Sequence, residues 1–273
     1  MPTIAEKVAA FRRLHQPGAP FVIANAWDAG SARILQGLGA KALATTSSGF
    51  ALTLGRKDYR VAREEALAHC RLVAGAVDIP LSADLENGFG LSPEDAAATI
   101  RAASETGLAG GSIEDSSGDT DDPIIDKSLA IERIAAAVEA ARAASSGFVL
   151  TARAEGLLWG RADLKEIIAR LQAFEEAGAD VLFAPGLPDL AAVKAVCSSV
   201  DRPVNVLVLA GLVRHSIDEF AAAGVARLSL GGALAFGAYR SLFETAEPIF
   251  RYGSFNALAA NREVTKRIKD WLA

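Results

Sequence analysis

Four times along the chain an alanine-rich stretch with helical hydrophobic spacing stops at a glycine, and a short apolar run begins within a few residues. The junctions are Gly37-Leu38-Gly39-Ala40-Lys41-Ala42-Leu43, Glu105-Thr106-Gly107-Leu108-Ala109-Gly110-Gly111, Glu176-Ala177-Gly178-Ala179-Asp180-Val181-Leu182 and Ala223-Gly224-Val225-Ala226-Arg227-Leu228. Glycine takes up the left-handed conformation that ends a helix without a Cβ penalty, and the turn then feeds a strand. This weak internal repeat predicts alternating α and β elements, hence a parallel sheet. Eight candidate strands follow, near 21–25, 41–46, 80–84, 109–114, 148–153, 180–184, 203–207 and 226–231. Helical patterns lie between them at 63–76, 93–105, 128–144 and 164–177, and Ser92-Pro93-Glu94-Asp95 has the capping hydroxyl, early proline and acids of a helix start.

Eight strands alternating with helices over this length predict an α/β fold, one (β/α)8 TIM barrel domain over 1–273. An open doubly wound sheet is the alternative. It would want a glycine-rich phosphate loop after the first strand, and Asn25-Ala26-Trp27-Asp28-Ala29-Gly30 is not one. The residues after Ala233 exceed one closing helix, so 233–273, helical over 250–272, is expected to contribute oligomer contacts.

Composition narrows the partners. Hydrophobic residues make up 51% of the chain, with 24 glycines and a mean hydropathy of +0.24, enough for a substantial core. A net charge of −5 argues against nucleic acid or an anionic membrane, which need a basic surface. No apolar run approaches the roughly 20 residues that span a bilayer, and the N-terminus lacks a signal-peptide core, so a cytoplasmic location is expected. Cys70 and Cys197 lie far apart without metal-type spacing and are expected as buried thiols.

The chemistry gathers where apolar runs end. The run at 81–83 opens onto Asp84 and Glu86, which share a face if the strand conformation continues that far. Other runs end in Ser47-Ser48-Gly49, in Glu114-Asp115 and in Arg153; Trp27 and Asp28 follow the first strand, and Asn205 lies on the seventh. Asp58, in the long connection after strand two, can fold over the same mouth. In a barrel these ends face one pocket. Four carboxylates, Asp58, Asp84, Glu86 and Glu114, cannot all stay ionised beside one arginine without a compensating cation. Oxygen donors without a His or Cys cluster select Mg²⁺, with Mn²⁺ possible, over zinc. The bland readings stand beside these: strand-end acids as helix caps or ion-pair partners, Arg153 as a buried structural partner, Trp27 as core filler and Asn205 as a tie between loops. Asp115 is expected at the surface or as a cap. His15, His69 and His215 end no strand and are expected as surface or packing residues, so no Ser–His or Cys–His nucleophile is supported.

At Asn25-Ala26-Trp27-Asp28, Thr45-Thr46-Ser47-Ser48-Gly49, Asp84-Leu85-Glu86-Asn87-Gly88-Phe89-Gly90, Gly111-Ser112-Ile113-Glu114-Asp115 and Thr151-Ala152-Arg153 the chain resembles the isocitrate lyase/phosphoenolpyruvate mutase superfamily. The resemblance implies a Mg²⁺-dependent barrel with a swapped eighth helix and a homo-oligomer, dimer or tetramer. It implies Asp84 closest to the metal, with Asp58, Glu86 and Glu114 acting through waters. Ser48 and Gly49 would hold the substrate carboxylate or oxyanion, and Arg153 would pair with substrate oxygen; Trp27 and Asn205 are expected to line the substrate from their places at the strand ends. Isocitrate and methylisocitrate lyases of that superfamily carry Lys-Lys-Cys-Gly-His on the mobile loop. Here the loop reads Asp115-Ser116-Ser117-Gly118-Asp119-Thr120-Asp121-Asp122-Pro123, with no Cys, His or Lys before Lys127. Phosphonomutases carry Lys-x-Asn-Ser there and a histidine after strand six, where this chain has Phe183-Ala184-Pro185. The expectation is therefore a C–C lyase or decarboxylase acting on a small 2-oxo or 2-hydroxy carboxylate through an enolate. The alternatives are a phosphonopyruvate-type P–C hydrolase or mutase, or a non-catalytic 2-oxo-acid-binding barrel.

Overall fold

A computed structural model describes residues 2–272; Met1 and Ala273, the two ends of the expected domain, lie outside the described residues. The chain begins with helix α1 (Ile4–Leu14), capped by a reciprocal Thr3–Glu6 box. Then β1 (Phe21–Ala26), α2 (Ala29–Gly37), β2 (Leu43–Thr45), α3 (Ser47–Thr53), α4 (Arg63–Ala76) and β3 (Leu81–Asp84) follow. The middle is α5 (Pro93–Ser104), β4 (Gly110–Glu114), α6 (Lys127–Ala143), β5 (Val149–Arg153), α7 (Leu164–Glu176) and β6 (Val181–Phe183). The last part holds α8 (Leu190–Cys197), β7 (Val204–Leu207), α9 (Ile217–Ala222), β8 (Arg227–Ser229), α10 (Ala233–Tyr252) and α11 (Asn261–Ile268). The strands pair in parallel, each with its sequence neighbour, and β8 closes on β1, giving the expected barrel. The predicted strands are all present, shortened by a residue or more at most ends.

The four repeat glycines do what the pattern requires. Gly39, Gly107, Gly178 and Gly224 all have φ between 88° and 100°, where an L side chain is strained. Ser92 caps α5, accepting from the Asp95 amide while the Asp95 carboxylate takes the Ser92 amide. The main core lies between the strands' outer faces and the helices, with Ile100, Leu108, Ile113, Leu171, Phe174 and Val206 fully buried. Arg133 of α6 is buried too, and its guanidinium ties down the carbonyls of Asn87, Gly90 and Ser92, fixing the turn that leaves β3.

Helix α1 has no counterpart in the predicted βα repeat, and it seals the N-terminal face of the barrel. Val8 and Phe11 pack onto Phe21, Ala42, Ala109, Val149 and Val181, residues at or just before the starts of five strands. His15, just past the helix, sits edge-on to Phe11 and Phe21. Its Nδ1–H donates to the Phe11 carbonyl at 2.8 Å, and its Nε2, left as acceptor, faces Arg227 Nη1 at 3.2 Å. Burial and the neighbouring Arg227 charge push the His15 pKa down to about 3. As pH falls, the unfolded imidazole takes a proton near 6.5 while the folded one stays neutral, so the stability this residue contributes is complete above about pH 6.5 and drains as pH falls from there to about 3. At pH 5 the loss is about 2 kcal/mol. His15→Gln keeps a donor and an acceptor but does not titrate. The difference in unfolding free energy between wild type and this variant should shift by that amount between pH 7 and pH 5, in denaturant titrations, with the wild type losing more.

Candidate active site

The C-terminal strand ends surround a cavity of about 210 Å³, lined among others by Asn25, Ser47, Ser48, Asp58, Asp84 and Arg153. That volume is below the roughly 300–1,000 Å³ of pockets for drug-sized ligands, and it suits a substrate of a few carbon atoms.

Asp84 ends β3. Its carboxylate accepts from the Ser47 amide at 3.3 Å and from the Glu86 amide at 3.2 Å, and its own amide donates to Thr45 Oγ1 at 2.9 Å. These bonds fix the side chain before any ligand arrives. Strand conformation does not continue to Glu86, contrary to the alternation argument: β3 stops at Asp84, and Glu86 has φ +50°. A turn, not the pleat, carries Glu86 back beside Asp84. The Glu86 carbonyl accepts from the Glu114 amide at 3.1 Å, which ties this turn to β4.

Glu114 ends β4. One of its oxygens accepts from the Tyr59 hydroxyl and the other from Arg153 Nη1 at 3.1 Å. Arg153, at the end of β5, also pairs with Glu155 through Nε and approaches Asp84 Oδ1 at 3.7 Å, and its guanidinium lies over the Phe183 ring, 5.1 Å from the centroid. It is thus both the structural ion-pair partner of the bland reading and a wall of the cavity. Asp58 reaches the cavity from the loop after α3, and Tyr59 beside it has φ +58°.

The charges are crowded. Burial, then the Asp84 charge, raises the pKa of Asp58 and pushes that of Glu86 up to about 8. Burial also raises Glu114 and Glu155, although Arg153 opposes it; the charges of Glu155 and Asp84 add to the rise at Glu114, and those of Asp115 and Asp84 to the rise at Glu155. Burial works against the Arg153 charge, but Glu114, Glu155 and Asp84 more than offset it and hold the guanidinium protonated. A hard divalent cation fits this donor set: the donors are carboxylate oxygens, and Arg153 pairs with Asp84, Glu114 and Glu155 but leaves Asp58 and Glu86 without an ion-pair partner among the described residues. Among the described residues no group of three or more His, Cys, Asp or Glu side chains could by itself hold a metal ion. An ion here would therefore need water ligands, as Mg²⁺ does when it is bound through one or two carboxylates.

On the opposite wall, Thr46 caps α3, and Ser48 Oγ lies 3.1 Å from Thr46 Oγ1. Ser47 and Ser48 line the cavity, whereas the Gly49 amide is turned to Thr46 Oγ1 at 3.4 Å. Gly49 has a packing reason to be glycine: a Cβ there would come within 2.6 Å of Thr46 Cγ2 and 3.1 Å of Trp27 Cβ. Trp27 is half-buried and outside the cavity lining; its carbonyl is held by His69 Nε2 at 2.9 Å. Asn205 does line the cavity and also ties strands together, donating to Ser229 Oγ and accepting from Arg227 Nε, both at 2.9 Å. Asp28 is a helix cap, accepting from the Ser31 amide at 2.6 Å.

One expectation is corrected outright. Asp115 is neither exposed nor a cap; it is 2% exposed, accepts from the Glu155 amide at 2.7 Å and pairs with Arg170 at 3.2 Å. A buried guanidinium on α7 accounts for it. Cys70 is buried as expected, and Cys197 is half-buried. Sequence reasoning misses Tyr59 and Glu155. Their one sequence signal is adjacency, Tyr59 to Asp58 and Glu155 two residues past Arg153, which is weak without the fold.

The family model of phosphoenolpyruvate phosphomutase matches residues 11–250. A solved structure from Burkholderia cenocepacia J2315, described only as a lyase/mutase, is 48% identical with a TM-score of 0.93, over 99% of this chain and 96% of that one. The 2-methylisocitrate lyase of Escherichia coli K12 is 28% identical over 251 residues, 88% of this chain and 82% of its own. Oxaloacetate decarboxylase 1 of Pseudomonas putida W619 is 26% identical over 242 residues, 86% and 82% of the two chains.

Proposed function

This chain belongs to the phosphoenolpyruvate phosphomutase family, within the isocitrate lyase/phosphoenolpyruvate mutase superfamily of lyases and mutases, and from that premise we propose a Mg²⁺-dependent C–C lyase or decarboxylase acting on a small 2-oxo or 2-hydroxy carboxylate. The observation that carries this reading is the meeting of Asp58, Asp84 and Arg153 in one small cavity, with Glu86 and Glu114 bonded to the same group. Asp84 would hold the metal most directly, with Asp58, Glu86 and Glu114 acting through waters, and the bound ion would supply Lewis-acid stabilisation of negative charge on the substrate's carbonyl oxygen.

The chain's own groups do the rest. The Ser48 hydroxyl and the Ser48 amide hold the substrate carboxylate, since among the first N–H groups of α3 the Ser47 amide is taken by Asp84 and the Gly49 amide by Thr46 Oγ1. Arg153, its fork fixed by Glu114, Glu155 and the Phe183 ring, donates to a substrate oxygen and holds it in register for cleavage. Leu158, Phe183 and Leu207 give the remaining wall an apolar character. The 115–127 loop lacks a Cys, His or Lys acid before its last residue, and this favours decarboxylation, in which the enolate carbon takes its proton from water. The loop would act as a lid; Asn87 Nδ2 already holds the Ser117 carbonyl at 3.2 Å.

The test is a Mg²⁺-dependent screen of small 2-oxo and 2-hydroxy diacids read by product mass. Pyruvate and CO₂ from oxaloacetate or a substituted relative, lost on adding EDTA, is the expected result. Phosphate release from phosphonopyruvate would instead select the P–C reading. Oxalate binding with no turnover of any diacid would select a non-catalytic barrel.

We also propose a homo-oligomer built on the C-terminal helices. Along α10 and after it, Phe243 is 70% exposed, Phe250 89% and Phe255 64%, an apolar surface unlike that of a monomer. Sedimentation should give a dimer or tetramer for the wild type and smaller species for Phe243→Glu/Phe250→Glu; a monomeric wild type would refute the assignment. No described helix is long and apolar enough to cross a membrane.

A further inference from the structure

The cavity does not stop at the carboxylates. Ser82 lies two residues before Asp84 on β3, and Ser112 two before Glu114 on β4, so each faces the barrel interior roughly 6–7 Å below its acid. Ser82, Ser112, Asn205 and Ser229 line this lower part, and Arg227 enters it from the start of β8. The acids in the cavity lining, Asp58 and Asp84, belong to the mouth.

Arg227 is 5% exposed. Its Nε donates to Asn205 Oδ1 at 2.9 Å, its Nη2 to Thr151 Oγ1 at 3.1 Å, and its Nη1 faces His15 Nε2 at 3.2 Å. All three partners are neutral, because His15 is kept unprotonated. They take three of the five N–H donors of a guanidinium. Arg153 one layer above has three carboxylates around it; Arg227 forms no ion pair among the described residues. Burial lowers its pKa to about 9, which leaves it charged at neutral pH. A cation taken out of water without a counter-charge carries a large desolvation penalty, and buried charges are ordinarily paired. The Ser229 oxygen accepts from Asn205 Nδ2 at 2.9 Å, which frees the Ser229 proton to point into the chamber.

We propose that this lower chamber is an anion subsite, in which Arg227 and the Ser229 hydroxyl bind one small monoanion, a carboxylate group or a halide. The inference is independent of the reaction assigned to the mouth. The carboxylate can be the far end of a dicarboxylic substrate whose other end lies at Ser48, or a free ion can occupy the chamber by itself.

Thermal unfolding of the full-length protein separates these sources. Sodium bromide, acetate and succinate are titrated at constant ionic strength, with a bulky sulfonate as the balancing anion. At about tenfold excess over Kd the midpoint should rise by roughly 3 °C. Arg227→Lys should keep the rise and Arg227→Met should lose it. Protection by bromide and acetate identifies a free-ion site, and protection by succinate alone identifies the far carboxylate of a substrate; both support the subsite. No anion-specific rise in the wild type, or an equal rise in Arg227→Met, overturns it. If Arg227→Met does not fold, bromide-soaked wild-type crystals decide: an anomalous peak within hydrogen-bond distance of Arg227 supports the subsite, and a chamber without one overturns it. The same titrations on Asp84→Asn keep the two readings apart, since loss of turnover there leaves the anion response intact.

Discussion

Asp84→Asn should lower turnover by about 10³-fold and leave the midpoint of thermal unfolding unchanged or higher. The two halves of that result have one cause. The Asp84 charge is among the reasons that Asp58, Glu86, Glu114 and Glu155 are all harder to ionise than ordinary carboxylic acids. Neutralising it relieves repulsion in the folded state, while asparagine, nearly the same shape, still offers an oxygen to one of the Ser47 and Glu86 amides. What is lost is the carboxylate best placed to hold a divalent ion. Mg²⁺ should therefore raise the unfolding midpoint of the wild type and not that of the variant. Functional sites commonly hold such stored repulsion at the expense of stability. Turnover within a few fold of wild type, or a variant destabilised by several degrees, would remove Asp84 from the centre of the mechanism.

Arg153→Met should have the opposite signature, losing both turnover and stability. Removing the guanidinium leaves Glu114, Glu155 and Asp84 facing one another with the nearby positive charge gone. Breaking a buried ion pair by deleting one partner costs about 3–5 kcal/mol, because the survivors keep their desolvation penalty. The cost should shrink in acid. In the variant the folded carboxylates bind protons more tightly than unfolded ones, so stability relative to wild type rises as pH falls from 8 towards 5. Urea titrations across that range check the slope. A flat difference would mean that methionine merely disturbs packing against Phe183. Arg153→Lys restores the charge but not the fork, so it should recover stability more than turnover.

The barrel was legible because its signals are local. A glycine that must turn left-handed, a run of apolar residues and a capped helix start each act within a few residues, and repetition of the unit leaves few closed topologies. The strand-end acids were legible for the same reason: once parallel strands are assumed, Asp84, Glu114 and Arg153 fall on one face whatever their spacing in the chain. Helix α1 was not, because it lies outside the repeat, and its role depends on which surface of the barrel needs covering. Asp115 and Glu114 are adjacent and chemically alike, and the sequence ranked Asp115 as the dispensable one. Its burial depends on Arg170, 55 residues away, a pairing that local pattern does not encode.

The sequence by itself determined the alternation of strands and helices, the closed parallel barrel and the strand-end positions of Asp84, Glu114 and Arg153, since periodicity and turn chemistry are short-range properties. The tertiary structure alone decided which charges are answered. It placed Arg153 among three carboxylates and gave Arg227 neutral partners, Asn205, Thr151 and His15. Electrostatic energy depends on distance in space and on exclusion of water, and neither quantity is fixed until strands distant in the chain have closed around a common axis.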